Sequence, residues 1–323
     1  MHYKFHIFMS LFKNILSTST GIIPSERLCN LVEPVIIHPF YHTVSDEYLP
    51  YIHPIYSPKN SKEFIKDIDF FLRYFEPVNI NKVLLHHKEH TFPQKNAFHL
   101  SFDDGLRGVY EIIFPLLLQK GISATIFINS AFVDNKDLFY RHKAALLIDK
   151  IKQKKPSRAV RSEINKILSI SYLQRDWLNE TAKILEVDFQ DYLKTYRPYL
   201  TIEELKVMKT NGFTIGSHSI DHPLYSILNE DEQKRQTIES CRFVKNIFQE
   251  TNAFFSFPHT EAMISKSFFN TISLHTDLTF GISGMKTWNN GKHIGRIDME
   301  KRKKTQEIIN PLLLKHKILK VFT

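Results

Sequence analysis

Apolar runs that switch between strand and helix periodicity constrain this chain most. Val35-Ile36-Ile37 opens a buried-strand pattern that continues into His38-Pro39-Phe40-Tyr41-His42. Ser61 to Phe75 then places Phe64, Ile65, Ile68, Phe71, Leu72 and Phe75 on one helical stripe. Ala97 to Phe102 is a second strand, Val109 to Gln119 a second helix closed by Gly121, and Ser123 to Asn129 a third strand. Strands that alternate with helices imply a parallel sheet, because parallel neighbours need a crossover long enough to hold a helix. The expected fold is therefore α/β, as an open parallel sheet or a barrel.

The rhythm stops between about residues 134 and 200. That stretch has no glycine and keeps helix-type apolar spacing, so it reads as a helical insertion on one loop. Thr201 with Glu204 three residues on predicts a capping box, and the helix it opens ends at Asn211-Gly212. Phe213 to Gly216 is the next strand, Glu230 to Phe248 a helix, Ala253 to Phe257 a strand and Leu278 to Ile282 a late strand. We accordingly divide the chain into an N-terminal segment (1–34), a barrel domain (35–297) and a basic C-terminal tail (298–323).

Composition matters here for what it excludes. The ten glycines never fall into GxGxxG or GxxxxGK[ST], which excludes glycine-loop nucleotide sites of those forms. Cys29 and Cys241 are isolated, so neither a disulfide framework nor a zinc ribbon is supported. The apolar run Ile7–Phe12 is stopped by Lys13, short of the ~7–15 residues of a signal peptide. A cytoplasmic location is the expectation. Net charge is +9, and two segments more than account for it. Arg141–Arg161 holds eight basic residues and one Asp, and 298–323 holds seven Lys/Arg and three Asp/Glu. Solvated helical faces explain such runs, and so does contact with an anionic membrane surface. No nucleic-acid motif accompanies them, so nucleic acid is not an expected partner.

Two clusters carry chemistry. Ser101-Phe102-Asp103-Asp104-Gly105 closes a strand. Adjacent carboxylates raise one another's pKa, and a metal relieves this by taking one as ligand and leaving the other as a base. The same residues also suit a plain turn. His218-Ser219-Ile220-Asp221-His222 follows another strand, and histidines four apart share one face of a helical turn. Two imidazoles and a carboxylate leave an open position for water, as in catalytic divalent-metal sites. Spacing alone is weak evidence, since His38/His42 and His86/His90 share it; the strand end distinguishes the later pair.

SFDDG followed in order by HSIDH resembles the polysaccharide deacetylases of the NodB-homology type, carbohydrate esterase family 4. The resemblance spans roughly Val35 to Ile297 with the insertion unmatched. It implies a distorted (β/α) barrel and metal-dependent removal of N-acetyl groups from an amino sugar in a glycan, glycolipid or oligosaccharide precursor. Position by position it implies Asp103 as catalytic base and Asp104, His218 and His222 as ligands of a divalent metal: Zn²⁺, or Co²⁺, Ni²⁺ or Mn²⁺ in its place.

The family's third motif, an Arg before a Pro-Tyr-Gly-like turn, is only partly kept. Phe255-Ser256-Phe257-Pro258-His259-Thr260 retains Pro258, a candidate substrate contact, but lacks the Arg and the Gly. Arg296 is the candidate replacement for that Arg. His293, with His275 behind it, is nearest to the family's late histidine, the general acid. Trp288 is a candidate for the acetyl pocket and His42 for the substrate pocket. Alternatives on the same residues are an O-acetyl esterase, another amide hydrolase, or a non-catalytic metal- or glycan-binding relative.

Overall fold

The structure is a computed structural model and describes residues 23–91, 93–288 and 291–321. The apolar run Ile7–Phe12 lies outside these residues. Among those described, one parallel sheet of nine strands dominates, in the order β10-β11-β9-β8-β7-β6-β5-β2-β12. Its strands are β2 (Pro39–Tyr41), β5 (Leu100–Phe102), β6 (Ala124–Ile128), β7 (Thr214–Ser217), β8 (Phe254–Ser256), β9 (Leu278–Gly281), β10 (Thr287–Trp288), β11 (His293–Gly295) and β12 (Ile297–Asp298). Only β10, paired to β11, runs antiparallel. β11 lies one strand in from one end of this order and β12 at the other end, yet Arg296 alone separates them in sequence. The sheet must therefore curl until its ends meet at Arg296, giving a distorted barrel.

A second, smaller parallel sheet, β1 (Ile36–Ile37), β4 (Ala97–Phe98) and β3 (Glu76–Pro77), flanks the barrel. Two runs that read as single strands are thus each broken, at His38 and at His99, where the chain steps from one sheet to the other. These histidines lie side by side, Nδ1 to Nδ1 3.4 Å, and His99 Nε2 bonds Thr125 Oγ1 at 2.9 Å. Burial keeps both imidazoles neutral, with His99 lowered to about 3.

Helices pack where the stripes predict. Ser61–Tyr74 opens on an Asn60/Glu63 capping box and buries Phe64, Ile68 and Phe71 against Phe98 and Phe102. The Thr201/Glu204 box opens Ile202–Thr210, and Glu230–Phe248 is one helix. The expected helix 109–119 begins instead as a five-residue π-helix, Val109–Ile113, before Phe114–Gln119 continues as α-helix. The 134–200 stretch holds four α-helices, Tyr140–Lys152, Arg158–Leu168, Asp176–Ile184 and Phe189–Tyr196, with a core of their own that includes Leu147, Ile151, Ile167 and Leu178. The segment expected as a tail forms a helix, Thr305–Val321, with Ile309 and Leu313 buried in the main barrel core. Among the described residues no helix is long and apolar enough to cross a membrane.

Candidate active site

Asp103 and Asp104 stand at the C-terminal end of β5. The Asp103 backbone N–H extends the β2–β5 ladder by donating to Tyr41 O at 3.0 Å. Asp104 and Gly105 then both take left-handed backbone, φ +70° and +64°. At Gly105 a Cβ would approach Ile128 Cγ2 to 3.0 Å, so this turn needs glycine on two counts. The turn sends the two neighbouring carboxylates to different partners.

Asp103 is gripped from both sides by Arg296, with Nη1 donating to Oδ1 at 2.7 Å and Nη2 to Oδ2 at 2.6 Å. Nη2 also donates to Ser256 Oγ (2.6 Å) and Nη1 to Ser101 Oγ (3.1 Å), while the guanidinium lies 4.3 Å over the Phe40 ring. Arg296 is fully buried. Burial opposes ionisation of Asp103, but Arg296 and then His218 outweigh it and hold the carboxyl below its usual value. The residue expected to replace the motif-three arginine thus reaches Asp103 from the seam of the barrel.

Asp104 faces the histidines. Its Oδ1 lies 3.1 Å from His222 Nε2 and 3.5 Å from His218 Nε2, with one ligand atom of each residue within 4.8 Å of the others. This buried Oδ1 has no hydrogen-bond partner. His218 Nδ1 lies 2.8 Å from the Ser256 carbonyl, which accepts only from N–H, so the lone pair is on Nε2 and points into the site. Burial lowers His218 to about 4 and keeps that lone pair free at neutral pH. An orphaned carboxylate oxygen and imidazole nitrogens converging on one point fit a divalent cation, and this N, N, O donor set suits Zn²⁺ and its first-row neighbours.

The His218–His222 segment corrects one expectation: it is not helical. Ser219 (φ +74°) and His222 (φ +61°) take left-handed backbone, and the histidines converge through a loop. Its hydrogen bonds account for that conformation. The Asn129 amide donates to His218 O, and Ser219 Oγ accepts from His222 N at 3.0 Å. Gln236 Oε1 accepts from Ile220 N at 2.9 Å, while its Nε2 donates to Asp221 Oδ1 at 2.7 Å. The insertion adds Tyr172, whose hydroxyl donates to Asp221 Oδ2 at 2.7 Å.

Both clusters open into one cleft of about 1610 Å³, which His42 also lines. His42 Nδ1 is bonded to Glu300, and Glu300 Oε1 also accepts from the His42 backbone N–H at 3.0 Å. Burial pulls the imidazole pKa down, but the Glu300 carboxylate overrides it and pushes the value up to about 10. His42 is thus an imidazolium at neutral pH beside two aspartates. Glu300 escaped the sequence reading because no local pattern ties it to a residue 258 positions away.

His259 was also missed. It lines the cleft with its ring 4.5 Å from that of His222, and the run Pro258-His259 was the available signal. Phe139, from the start of the insertion, packs 4.3 Å from His222 and keeps water from that side.

Four expected residues are placed elsewhere. His293 is fully buried in β11, with Nδ1 2.8 Å from Thr279 Oγ1 and Nε2 3.9 Å from Glu261, and does not line the cleft. It is not positioned to reach substrate. Trp288 packs against His293, ring centroids 4.2 Å apart and tilted, and does not line the cleft. Pro258 sits between two lining residues, Phe257 and His259, without lining the cleft itself. His275 is exposed beyond the Lys266–Ile272 helix.

Comparison with known proteins agrees with this geometry. No curated protein matches the chain. Solved structures similar in fold include the Streptococcus pyogenes deacetylase PplD in complex with acetate, at TM-score 0.59 and 13% identity over 87% of this chain and 99% of that one. IcaB from Ammonifex degensii has TM-score 0.59 and 13% identity over 87% and 98%. A de-N-acetylase from Aggregatibacter actinomycetemcomitans has TM-score 0.58 and 13% identity over 85% and 99%. At such identity these likenesses speak for the fold. The sequence itself matches the polysaccharide deacetylase family model over residues 91–272, which includes SFDDG and HSIDH. A match over more than half of the sequence, with both motifs meeting at one point of a NodB-type barrel, makes the chain a member of the polysaccharide deacetylase family.

Proposed function

We propose that the protein is a metal-dependent hydrolase that removes N-acetyl groups from an amino sugar. The observation that carries this reading is the different engagement of the two aspartates: Asp103 is clamped by Arg296, and Asp104 faces His218 and His222. Asp104, His218 and His222 would hold the cation, which when bound supplies Lewis-acid polarisation of the acetamide carbonyl and makes water more acidic.

The protein's own groups perform the proton transfers. Asp103, kept ionised by Arg296, takes the proton of the attacking water as the new C–O bond forms. His42, kept protonated by Glu300, delivers its proton to the sugar nitrogen as the C–N bond breaks, leaving acetate and a free amine. An amine is a poor leaving group without that proton. A protonated His42 therefore favours an amide substrate over an O-acetyl ester, whose alkoxide depends on it less. Two features favour a non-catalytic relative, the missing motif-three arginine and the lack of an assured late acid; Arg296 on Asp103 speaks against the first, and His42 in the cleft against the second.

The test is acetate release from N-acetylglucosamine oligomers by protein supplied with Zn²⁺ or Co²⁺. Release that stops on adding chelator and in Asp103→Asn supports the reading. No release across a broad N-acetyl panel overturns it.

A further inference from the structure

The cleft is larger than its reacting groups require. At about 1610 Å³ it exceeds the ~300–1,000 Å³ of ordinary small-molecule sites. Its outer wall is built from Lys301, Lys303 and Lys315, with Ser283 and Asn310, over an apolar surface that includes Leu312. Lys301 and Lys303 line it by alternation about Arg302, which turns away and donates to Ser57 Oγ at 3.1 Å. Among the described residues no carboxylate is paired with any of the three lysines. The carboxylates on the same wall are engaged by backbone: Asp298 Oδ1 accepts from Glu300 N at 2.9 Å, and Glu307 Oε2 from Lys304 N at 3.1 Å.

Two further polar atoms on this wall are left over. Ser283 Oγ and Asn310 Oδ1 are buried without hydrogen-bond partners, and Asn310 is only 4% exposed. Native proteins rarely leave buried polar atoms unpaired unless a ligand, water or ion completes them. Three unpaired ammonium groups are more than one carboxylate needs, and lysine serves as a point charge for phosphate.

We propose that this outer wall binds a phosphate or diphosphate carried by the substrate, so that the preferred substrate is an N-acetylated glycosyl phosphate and not a neutral glycan. The lysines donate to phosphate oxygens, and the apolar surface meets whatever the phosphate links to. The inference rests on the N-deacetylase reading of the inner site, and its test is separable from that reading because it measures binding without turnover.

Calorimetric titration of the wild-type protein in chelator compares three probes: a neutral N-acetylglucosamine dimer, a nucleoside diphosphate N-acetylglucosamine, and N-acetylglucosaminyl diphosphate on a short prenyl chain. At least tenfold tighter binding of a diphosphate probe than of the dimer, weakening as salt rises, supports the proposal. Tight binding of both diphosphates identifies the shared phosphate chemistry, and of the prenyl probe alone a lipid source. Equal affinity for all three overturns it. In Lys301→Ala/Lys303→Ala the preference falls at least tenfold, while Arg302→Ala/Lys304→Ala, which removes the same two charges from the same loop but not from the cleft lining, keeps it. Equal loss in both variants also overturns a placed site. Acetate release from the same probes by metal-supplied enzyme separately tests the inner site: no release from any of them removes the deacetylase reading and leaves the binding result standing.

Discussion

Asp103 and Arg296 form a fully buried ion pair, and neither group is tolerable there without the other. Replacing Arg296 with Met strands a carboxylate in the barrel, which costs about 3–5 kcal/mol. The expected result is a large drop in the denaturation midpoint together with loss of acetate release. Arg296→Lys keeps the charge but not the two-pronged grip, so it recovers stability better than activity. Asp103→Asn is expected to lower kcat by about 10²–10⁴-fold as the base is lost. On the proposed reading His42 is expected to set the alkaline limit. Its folded pKa is raised, so the acid form persists until pH approaches about 10, and activity falls above that. In Glu300→Gln the largest raising charge is gone while burial remains, so the alkaline limb of the kcat/KM profile moves to lower pH. A limb unmoved in that variant would exclude His42 as the proton donor. The stability contributed by the same pair is complete below the unfolded histidine pKa of ~6.5 and lost as pH rises towards about 10.

Whether the ligand loop binds metal depends on elements that were legible only in part. β7 and the Glu230–Phe248 helix were readable from periodicity, and the helix has the expected bounds. For the loop between them, four-residue spacing predicts a helical turn because it matches the helical repeat. The left-handed Ser219 and His222 exist because Asn129 and Gln236 bond the loop from β6 and from the helix. Such bonds leave no trace in local spacing. Gln236→Ala removes the bonds to Ile220 and Asp221 without touching a ligand, and about a 10–100-fold loss of metal affinity is expected. A competition titration of Zn²⁺ against a coloured chelator measures it, and unchanged affinity would show that the loop holds its shape unaided.

At the scale of the whole molecule, the insertion and the C-terminal helix are parts of the wall of the cleft as well as appendages. Phe139 reaches His222, Tyr172 holds Asp221, and Arg141 lines the cleft with Lys301, Lys303 and Lys315, so both basic segments border the candidate site. The insertion has its own core, in which Leu147 is fully buried. Leu147→Ala is expected to cost about 2–5 kcal/mol, and activity is expected to fall with it because Phe139 and Tyr172 lose their footing. Thermal unfolding followed alongside acetate release checks the coupling; melting of the insertion with full activity would show it to be dispensable.

The sequence by itself determined the alternation of strands and helices, the insertion, and the two groups of metal-capable residues at strand ends. These are carried by neighbours within a few positions, where periodicity, capping and turn chemistry act. The tertiary structure alone decided which residues complete them. Arg296 reaches Asp103 across 193 positions because the two ends of the curled sheet meet at that residue. Glu300 reaches His42 because β12 pairs with β2. His293, the nearest match to the expected acid, is taken out of reach by its place in β11. Closure of a curved parallel sheet is set by pairing between strands far apart in the chain, and which buried charges meet is a consequence of that closure.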